Sequence, residues 1–158
     1  MTQLTHARLL ALVEYNAATG AIKRRSNGRV ARPTHGGGYV QIMLDRKMYL
    51  GHRLAWFYAH GRWPDGVVDH INADPSDNRI GNLRDTTRRL NVAHSKKYSN
   101  NTSGFKGVSW NKQRRAWAAS ICVHSKTKHL GMFDTPEAAH SAYMAAARQH
   151  FGEFARAA

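Results

Sequence analysis

The sequence predicts an α+β fold in which small antiparallel sheets are combined with short helices. Residues 39–50 and 117–133 alternate apolar with polar side chains around short turns, which is the period of paired β-strands. Residues 137–150 are rich in alanine and follow a proline, which is typical of a helix start. The longest apolar run, residues 54–59, is far too short to cross a bilayer. We therefore expect a soluble, cytoplasmic protein with no membrane partner.

Residues 1–51 predict a small section, with helix and strand, that packs on the section after it. Leucines recur at helical spacing near the start, and glycine clusters separate the later segments. A tight turn at Asp45 and Arg46 joins the last two strands. The predicted helix and the three predicted strands occupy residues 3–14, 21–25, 39–44 and 47–50.

Residues 52–98 predict a core section with the order helix, strand, polar loop, return strand and helix. Gly61 ends the first helix, and a proline and a glycine form a turn within residues 63–66. The loop is rich in Asp, Asn and Ser, which favour turns. The five predicted segments occupy residues 52–60, 67–72, 73–79, 80–84 and 86–95.

Residues 99–104 have the composition of a linker, and residues 105–158 predict a separate unit. Thr135 suits the N-cap of its helix, and Glu137 suits the positive end of the helix dipole. Three strands and one helix make a two-layer unit large enough to bury a small core. The predicted strands and helix occupy residues 104–110, 117–123, 127–133 and 137–150.

The charge balance indicates a polyanionic partner. The 158 residues contain 24 Lys and Arg against 10 Asp and Glu, a formal net charge of +14. Nucleic acid is the usual partner of a small, folded, strongly basic chain, because Lys and Arg release the counterions condensed on phosphates. A basic protein kept soluble by repulsion is the alternative. The single cysteine, Cys122, excludes an internal disulfide and cysteine-rich zinc sites.

The acidic residues are concentrated in one short stretch, unlike the basic ones. Half of them lie within 21 residues, at Asp65, Asp69, Asp74, Asp77 and Asp85. Carboxylates near phosphates are useful where they hold a divalent cation, which prefers oxygen ligands. Turn and cap formation is the competing explanation, and for most of the five it is the better one.

Four polar residues of the core section could carry out phosphodiester hydrolysis. Asp69 and His70 are adjacent, Asn82 follows twelve residues after His70, and Asn91 follows twenty-one after it. A cation held by a carboxylate and an amide oxygen stabilises charge on a phosphate, and a neutral His takes a proton from water. Asn82 could hold either the His70 ring or the loop backbone. The alternative is that His70 satisfies a buried polar group.

The order Val67-Val-Asp-His-Ile-Asn72, Asp77-Asn-Arg-Ile-Gly-Asn-Leu-Arg84 and Asn91 resembles the HNH endonuclease family, most closely its phage and intron-encoded homing branch. His52-Arg-Leu-Ala-Trp56 and Trp63-Pro64 also resemble that branch.

The resemblance implies a ββα-metal fold with one divalent cation, expected to be Mg²⁺, with Mn²⁺ tolerated. It implies that His70 is the general base, that Asp69 and Asn91 are the metal ligands, and that Asn82 is the middle asparagine. His94 lies on the same helix face as Asn91 and competes with it as a ligand.

A second pattern runs through the C-terminal unit: Gly107-Val108, Trp117-Ala-Ala119, Ile121, Leu130-Gly-Met-Phe-Asp-Thr135, Glu137-Ala-Ala139, Ala142-Tyr143 and Gly152. It resembles the plant APETALA-two/ethylene-response-factor DNA-binding domain. The resemblance implies a three-stranded antiparallel sheet in the DNA major groove, with one helix packed behind it. Ser109, Asn111 and Cys122 stand where arginines are usual, so the plant sequence preference does not carry over.

Basic and aromatic side chains supply the candidate DNA contacts. Those of the C-terminal unit are Trp110, Lys112, Arg114, Arg115, Lys126 and Lys128, and those near the predicted nuclease centre are Arg84, Arg88, Lys96 and Lys97. Each could contact phosphates or base edges, and only some would specify sequence. The alternative for the lysines and arginines is a solvated surface. Trp117 alternates with Ile121 and is expected in the core.

Together these observations predict a site-selective, metal-dependent DNA endonuclease of the homing type, acting on double-stranded DNA. One alternative is a DNA-binding regulator with an inactive nuclease motif, and another is an RNA-binding protein. One active site per chain is compatible with nicking as a monomer and with double-strand cutting as a homodimer.

Overall fold

The computed structural model describes residues 3–34, 37–95 and 101–156. The chain divides into two compact units, Met1–Arg88 and Arg89–Ala158. Both mix helices with small antiparallel sheets, so the α+β prediction is confirmed. Within the described residues, no helix combines the length and the apolar character needed to cross a membrane.

The first unit begins with one helix and two hairpins. Thr5 caps the first helix through its hydroxyl, which accepts from the Arg8 amide. Asp45 and Arg46 have positive φ angles, and they form the turn of the second hairpin. The elements are α1 (His6–Leu12), β1 (Val13–Tyr15), β2 (Ile22–Arg24), β3 (Gln41–Leu44) and β4 (Lys47–Leu50).

The rest of the first unit is a helix followed by a third hairpin. Helix α2 (Gly51–His60) ends at Gly61, which adopts a left-handed conformation. Strands β5 (Val67–His70) and β6 (Leu83–Thr86) pair antiparallel, with Asp69 opposite Arg84 and His70 opposite Leu83. A 3-10 turn at Ile80–Asn82 precedes β6, so the return strand begins three residues later than the sequence predicts.

One hydrophobic core serves the whole first unit. Its buried members come from the N-terminal hairpins, from α2 and from the β5–β6 hairpin, and include Leu9, Ile22, Leu54, Val68 and Leu83. Helix α1 and the two N-terminal hairpins therefore pack directly on the elements that carry Asp69 and His70. A core drawn from both parts supports the candidate site better than a short hairpin could alone.

The second unit contains two helices and a three-stranded antiparallel sheet in the order β7-β8-β9. Helix α4 starts behind Thr135, whose hydroxyl accepts from the Ala138 amide, as the sequence predicts. The elements are α3 (Arg88–His94), β7 (Val108–Asn111), β8 (Ala116–Val123), β9 (Lys126–Phe133) and α4 (Pro136–Phe151).

Helix α3 is anchored within the second unit. Ala93 is buried in a cluster with Tyr143 and Phe151 of α4. Lys106 Nζ donates to the carbonyl oxygens of Ala93 and Ser95 at 2.5 and 2.7 Å, which satisfies free carbonyls at the end of the helix. Burial, with a smaller effect of the Arg156 charge, lowers the pKa of Lys106 to about 8.

We predict that Gly107→Ala will strongly destabilise the second unit. Gly107 has a φ of +75°, and a Cβ built on it would overlap the Tyr143 ring. Overpacking and an unfavourable backbone conformation should together cost about 3 kcal/mol in the free energy of unfolding. Gly104→Ala is the matched control, because Gly104 has a φ of +80° and an open Cβ position. It should cost about 1 kcal/mol. Equal losses in urea unfolding would contradict the packing argument.

Candidate active site

The β5–β6 hairpin places Asp69 and His70 next to each other at the end of a strand. Both side chains are buried, with Asp69 7% and His70 5% exposed. Neighbouring residues on a strand point to opposite sides, but His70 is the last residue of β5, where the chain turns. The hairpin therefore buries a carboxylate and an imidazole at one strand end.

His70 is held by the buried side chain of Asn78. His70 Nε2 lies 3.3 Å from Asn78 Oδ1, and Asn78 Nδ2 donates to the Ser76 carbonyl at 3.3 Å. Because Nδ2 is used by Ser76, the atom facing His70 is an oxygen that can only accept. Nε2 is therefore the donor in this contact, which in the neutral ring leaves the lone pair on Nδ1.

Asn78 is fixed in turn by the N-terminal section. The Tyr15 hydroxyl donates to the Asn78 carbonyl oxygen at 2.8 Å. Burial is the main reason that the pKa of Tyr15 is raised to about 12, so this hydroxyl stays protonated and able to donate. A Cβ at Gly20 would lie within 3.0 Å of the Asn78 and Arg79 backbone, so a glycine is needed for this close approach.

Two further rings surround His70. The His52 ring lies edge-on to it, with centroids 5.1 Å apart and planes at 81°. The Tyr39 ring is 5.4 Å from His52 and 6.0 Å from His70. Burial, followed by the His70 and Arg53 charges, lowers the pKa of His52 to about 4, so this ring is neutral at physiological pH.

The sequence left open whether Asn82 holds the His70 ring or the loop backbone, and in the structure it holds the loop. Its Oδ1 accepts from the Asn72 amide at 3.0 Å, and its Nδ2 donates to Asn72 Oδ1 at 3.0 Å and to the Asp77 carbonyl at 2.8 Å. The Asn82 carbonyl accepts from the Ile71 amide at 2.9 Å. Asn82 therefore closes the loop that leaves His70.

Four of the five clustered carboxylates bind turns and neighbouring side chains. Asp85 accepts from the Asp65 and Gly66 amides, Asp74 from Ser76, and Asp77 from Asn72 and Arg79. Asp65 pairs with Arg62 on the surface. The turn explanation therefore holds for these four, and Asp69 is the exception.

We predict that Asp77→Ala will destabilise the loop in a pH-dependent way. Hydrogen bonding to Arg79 lowers the pKa of Asp77 to about 2, and the side chain is 14% exposed. Loss of its charged hydrogen bonds should cost about 1–2 kcal/mol at neutral pH. Because the folded-state pKa is depressed, the difference from wild type should be full above about pH 4 and be lost progressively as pH falls through about 2. Urea unfolding measures this. Asp65→Ala should change stability little at any pH, since that pair is exposed.

Asp69 is paired with Arg84 across the hairpin. Arg84 Nε and Nη2 donate to Asp69 Oδ2 at 3.0 and 2.9 Å. The Arg84 side chain is 14% exposed and the Asp69 side chain is 8% exposed. Directly opposite positions on an antiparallel pair favour such a contact. The pair fixes the position of the carboxylate, and it gives Arg84 a structural task besides the predicted DNA contact.

The second unit carries the other candidate metal ligands. Asn91 is half-buried and His94 is buried on α3. Residues 3–34, 37–95 and 101–156 contain no group of three or more His, Cys, Asp or Glu side chains that could hold a metal ion. A Mg²⁺-like cation takes oxygen ligands, usually keeps several waters and is bound by one or two carboxylates together with phosphate oxygens.

The basic candidate DNA contacts of the second unit lie in or next to its two turns, β7–β8 and β8–β9. Lys112, Arg114 and Arg115 are exposed in the β7–β8 turn, and Lys126 and Lys128 are exposed at the start of β9. Trp110 is 45% exposed and lies edge-on to Trp117, with centroids 5.1 Å apart.

Trp117 is half-buried and packs against the core of the second unit, as predicted. In the first unit, Arg88 is exposed. Lys96 and Lys97 lie outside the described residues.

Sequence reasoning gave no role to Asn78, Tyr15, Tyr39 or His52. Asn78 and His52 lie inside the two sequence patterns that resemble the HNH family, and this place in the patterns was the signal available for them. Tyr15 is 63 residues from Asn78 in the chain, and no local pattern predicts that contact.

Comparison with known proteins identifies the domain that contains Asp69 and His70. A sequence profile described as HNH endonuclease matches residues 49–93. Protein 3.8 of Escherichia phage T7 is 33% identical over 106 residues, covering 66% of this chain and 87% of that protein. The AP2-like ethylene-responsive transcription factor ANT of Arabidopsis thaliana is 27% identical over 150 residues, covering 91% of this chain and 26% of that protein. The protein therefore belongs to the same family as phage Protein 3.8 and carries an HNH endonuclease domain at residues 49–93.

Proposed function

We propose that the protein is a site-selective, metal-dependent DNA endonuclease of the homing type, active in the cytoplasm of a bacterial host. The observation that carries the proposal is His70, a buried imidazole at a strand end, with one nitrogen held by Asn78 inside the HNH match. The phage relative supports the setting, and the net charge of +14 supports DNA as the substrate.

His70 acts as the general base in this proposal. Its Nδ1 takes a proton from water, and the water oxygen bonds to the phosphorus as the bond to the leaving sugar oxygen breaks. The leaving oxygen is protonated from solvent. Asn78 keeps Nε2 protonated, and Asn82 positions the loop, so both act through His70 and neither needs to touch the substrate.

Asp69 and Asn91 are the proposed ligands of a divalent cation, expected to be Mg²⁺, with Mn²⁺ tolerated and His94 as the alternative to Asn91. When bound, such a cation supplies positive charge next to the scissile phosphate. The contact with Arg84 limits the movement of the Asp69 carboxylate. The β5–β6 hairpin and α3 are proposed to be the two strands and the helix of a ββα-metal core.

The second unit is proposed to read the DNA through its sheet, as an AP2-like domain would. The similarity to a plant transcription factor supports this role, although the chain spans only 26% of that protein. Exposed Lys112, Arg114 and Arg115 lie in one turn, where they can contact the phosphates on either side of a groove.

Supercoiled plasmid containing the DNA around the protein's own gene tests the proposal. We expect conversion to open-circular or linear DNA with Mg²⁺ or Mn²⁺, and none with a chelator. Binding without cutting, equal with and without the chelator, would instead identify a DNA-binding regulator. Stronger competition by RNA than by duplex DNA would identify an RNA-binding protein.

A further inference from the structure

His52 is a buried polar residue that the proposed reaction does not use. It is 5% exposed and lies in the first turn of α2, one residue after Gly51. A Cβ at Gly51 would lie 3.2 Å from Asn78 Nδ2, so the helix start is packed closely on the residue that holds His70. α2 therefore brings a second imidazole to the same place.

Hydrogen bonding does not explain why a histidine occupies position 52. Nδ1 is buried and has no hydrogen-bond partner among the described residues, which normally costs stability. The contacts that His52 does make are through its ring, edge-on to His70 and tilted to Tyr39. What His52 contributes is therefore a flat, rigid surface at a fixed angle.

We propose that His52 is a positioning residue, whose ring holds the His70 imidazole in the orientation that pairs Nε2 with Asn78. The proposal rests on the proposed function. A single hydrogen bond of 3.3 Å to Asn78 does not by itself fix the angle of the His70 ring about its χ2 bond. The His52 ring, edge-on at a centroid distance of 5.1 Å, restricts that rotation and so keeps Nδ1 free to accept the proton in the proposed reaction.

Neutrality makes His52 suitable for this place. Its pKa of about 4 means that it adds no positive charge beside His70 at the pH of the reaction. A charged neighbour would disfavour the proton transfer to His70. A neutral aromatic ring at position 52 should therefore preserve the role of His52, whereas an aliphatic side chain of similar volume should not.

Two apolar variants of the full-length protein separate these possibilities. His52→Phe keeps a flat ring, and His52→Leu fills the space without one. Both relieve the unpaired Nδ1, so both are expected to fold, which thermal unfolding checks. Long-range ¹H–¹⁵N spectra of ¹⁵N-histidine-labelled protein, recorded at mildly alkaline pH without metal or DNA, report the tautomer of His70. Its signals are those missing from His70→Ala.

The proposal predicts that His70 keeps the Nε2-protonated signature in wild type and His52→Phe and shows a tautomer mixture in His52→Leu. The cleavage rate should stay within about threefold for His52→Phe and fall about 10- to 100-fold for His52→Leu, with DNA affinity unchanged. An unaltered His70 signature together with wild-type cleavage in His52→Leu would overturn it, as would equal damage by both variants. Wild-type cleavage by His70→Ala would instead overturn the proposed function.

Discussion

His70→Ala is expected to lower the rate of DNA cleavage by about a thousandfold or more, because it removes the only group proposed to take a proton from the attacking water. DNA affinity should stay within about twofold, since His70 is 5% exposed and offers little surface to DNA. Cleavage under single-turnover conditions measures the first quantity, and a mobility shift in the presence of chelator measures the second.

A matched histidine variant controls for nonspecific effects. His60→Ala removes an exposed imidazole from the last turn of α2, in the same unit but outside the His70 cluster. Its cleavage rate should equal that of wild type. If His70→Ala still cleaves within tenfold of wild type while folding normally, another residue is the base.

Asp69→Asn is expected to lower cleavage at least about a hundredfold and to cost less stability than removal of the whole side chain. The amide oxygen can still accept from Arg84 at the Oδ2 position, so the buried contact is kept, but the negative charge that attracts a cation is gone. Part of the lost activity should return at higher Mn²⁺ concentration, because the ligand is weakened rather than removed. Cleavage rates over a Mn²⁺ titration test this.

Asp69→Ala tests how much the same residue contributes to the stability of the fold. It leaves the Arg84 guanidinium, which is 14% exposed, without its carboxylate, and such a loss typically costs about 3 kcal/mol. Urea unfolding should therefore rank wild type, Asp69→Asn and Asp69→Ala in decreasing stability. Wild-type cleavage by Asp69→Asn at low metal concentration would exclude Asp69 as a ligand.

Local patterns predicted the secondary structure of this protein well. The Asp45-Arg46 turn, the helix that begins after Leu50 and the Thr135 cap are each encoded by a few neighbouring residues, and all are found close to where the sequence places them. The prediction of the return strand after the loop was less accurate. Ile80–Asn82 forms a 3-10 turn, because the Asn82 side chain is drawn into the loop by Asn72 and Asp77.

The support of His70 could not be predicted in the same way. The Tyr15–Asn78 hydrogen bond and the His52–His70 contact join segments far apart in the chain, and no local sequence pattern predicts either of them. Of the clustered carboxylates, only the three-dimensional structure distinguishes Asp69, paired with an arginine on the facing strand, from Asp85, which accepts from turn amides.

Mapping of DNA ends tests the central claim most directly. Duplex DNA spanning the protein's own gene and its flanks is incubated with Mg²⁺ and either wild-type protein or His70→Ala, and all new ends are located by sequencing. We predict a small number of positions at which ends accumulate with wild type and are absent with the variant. Ends that appear equally with both proteins, or no new ends at any position, would contradict it.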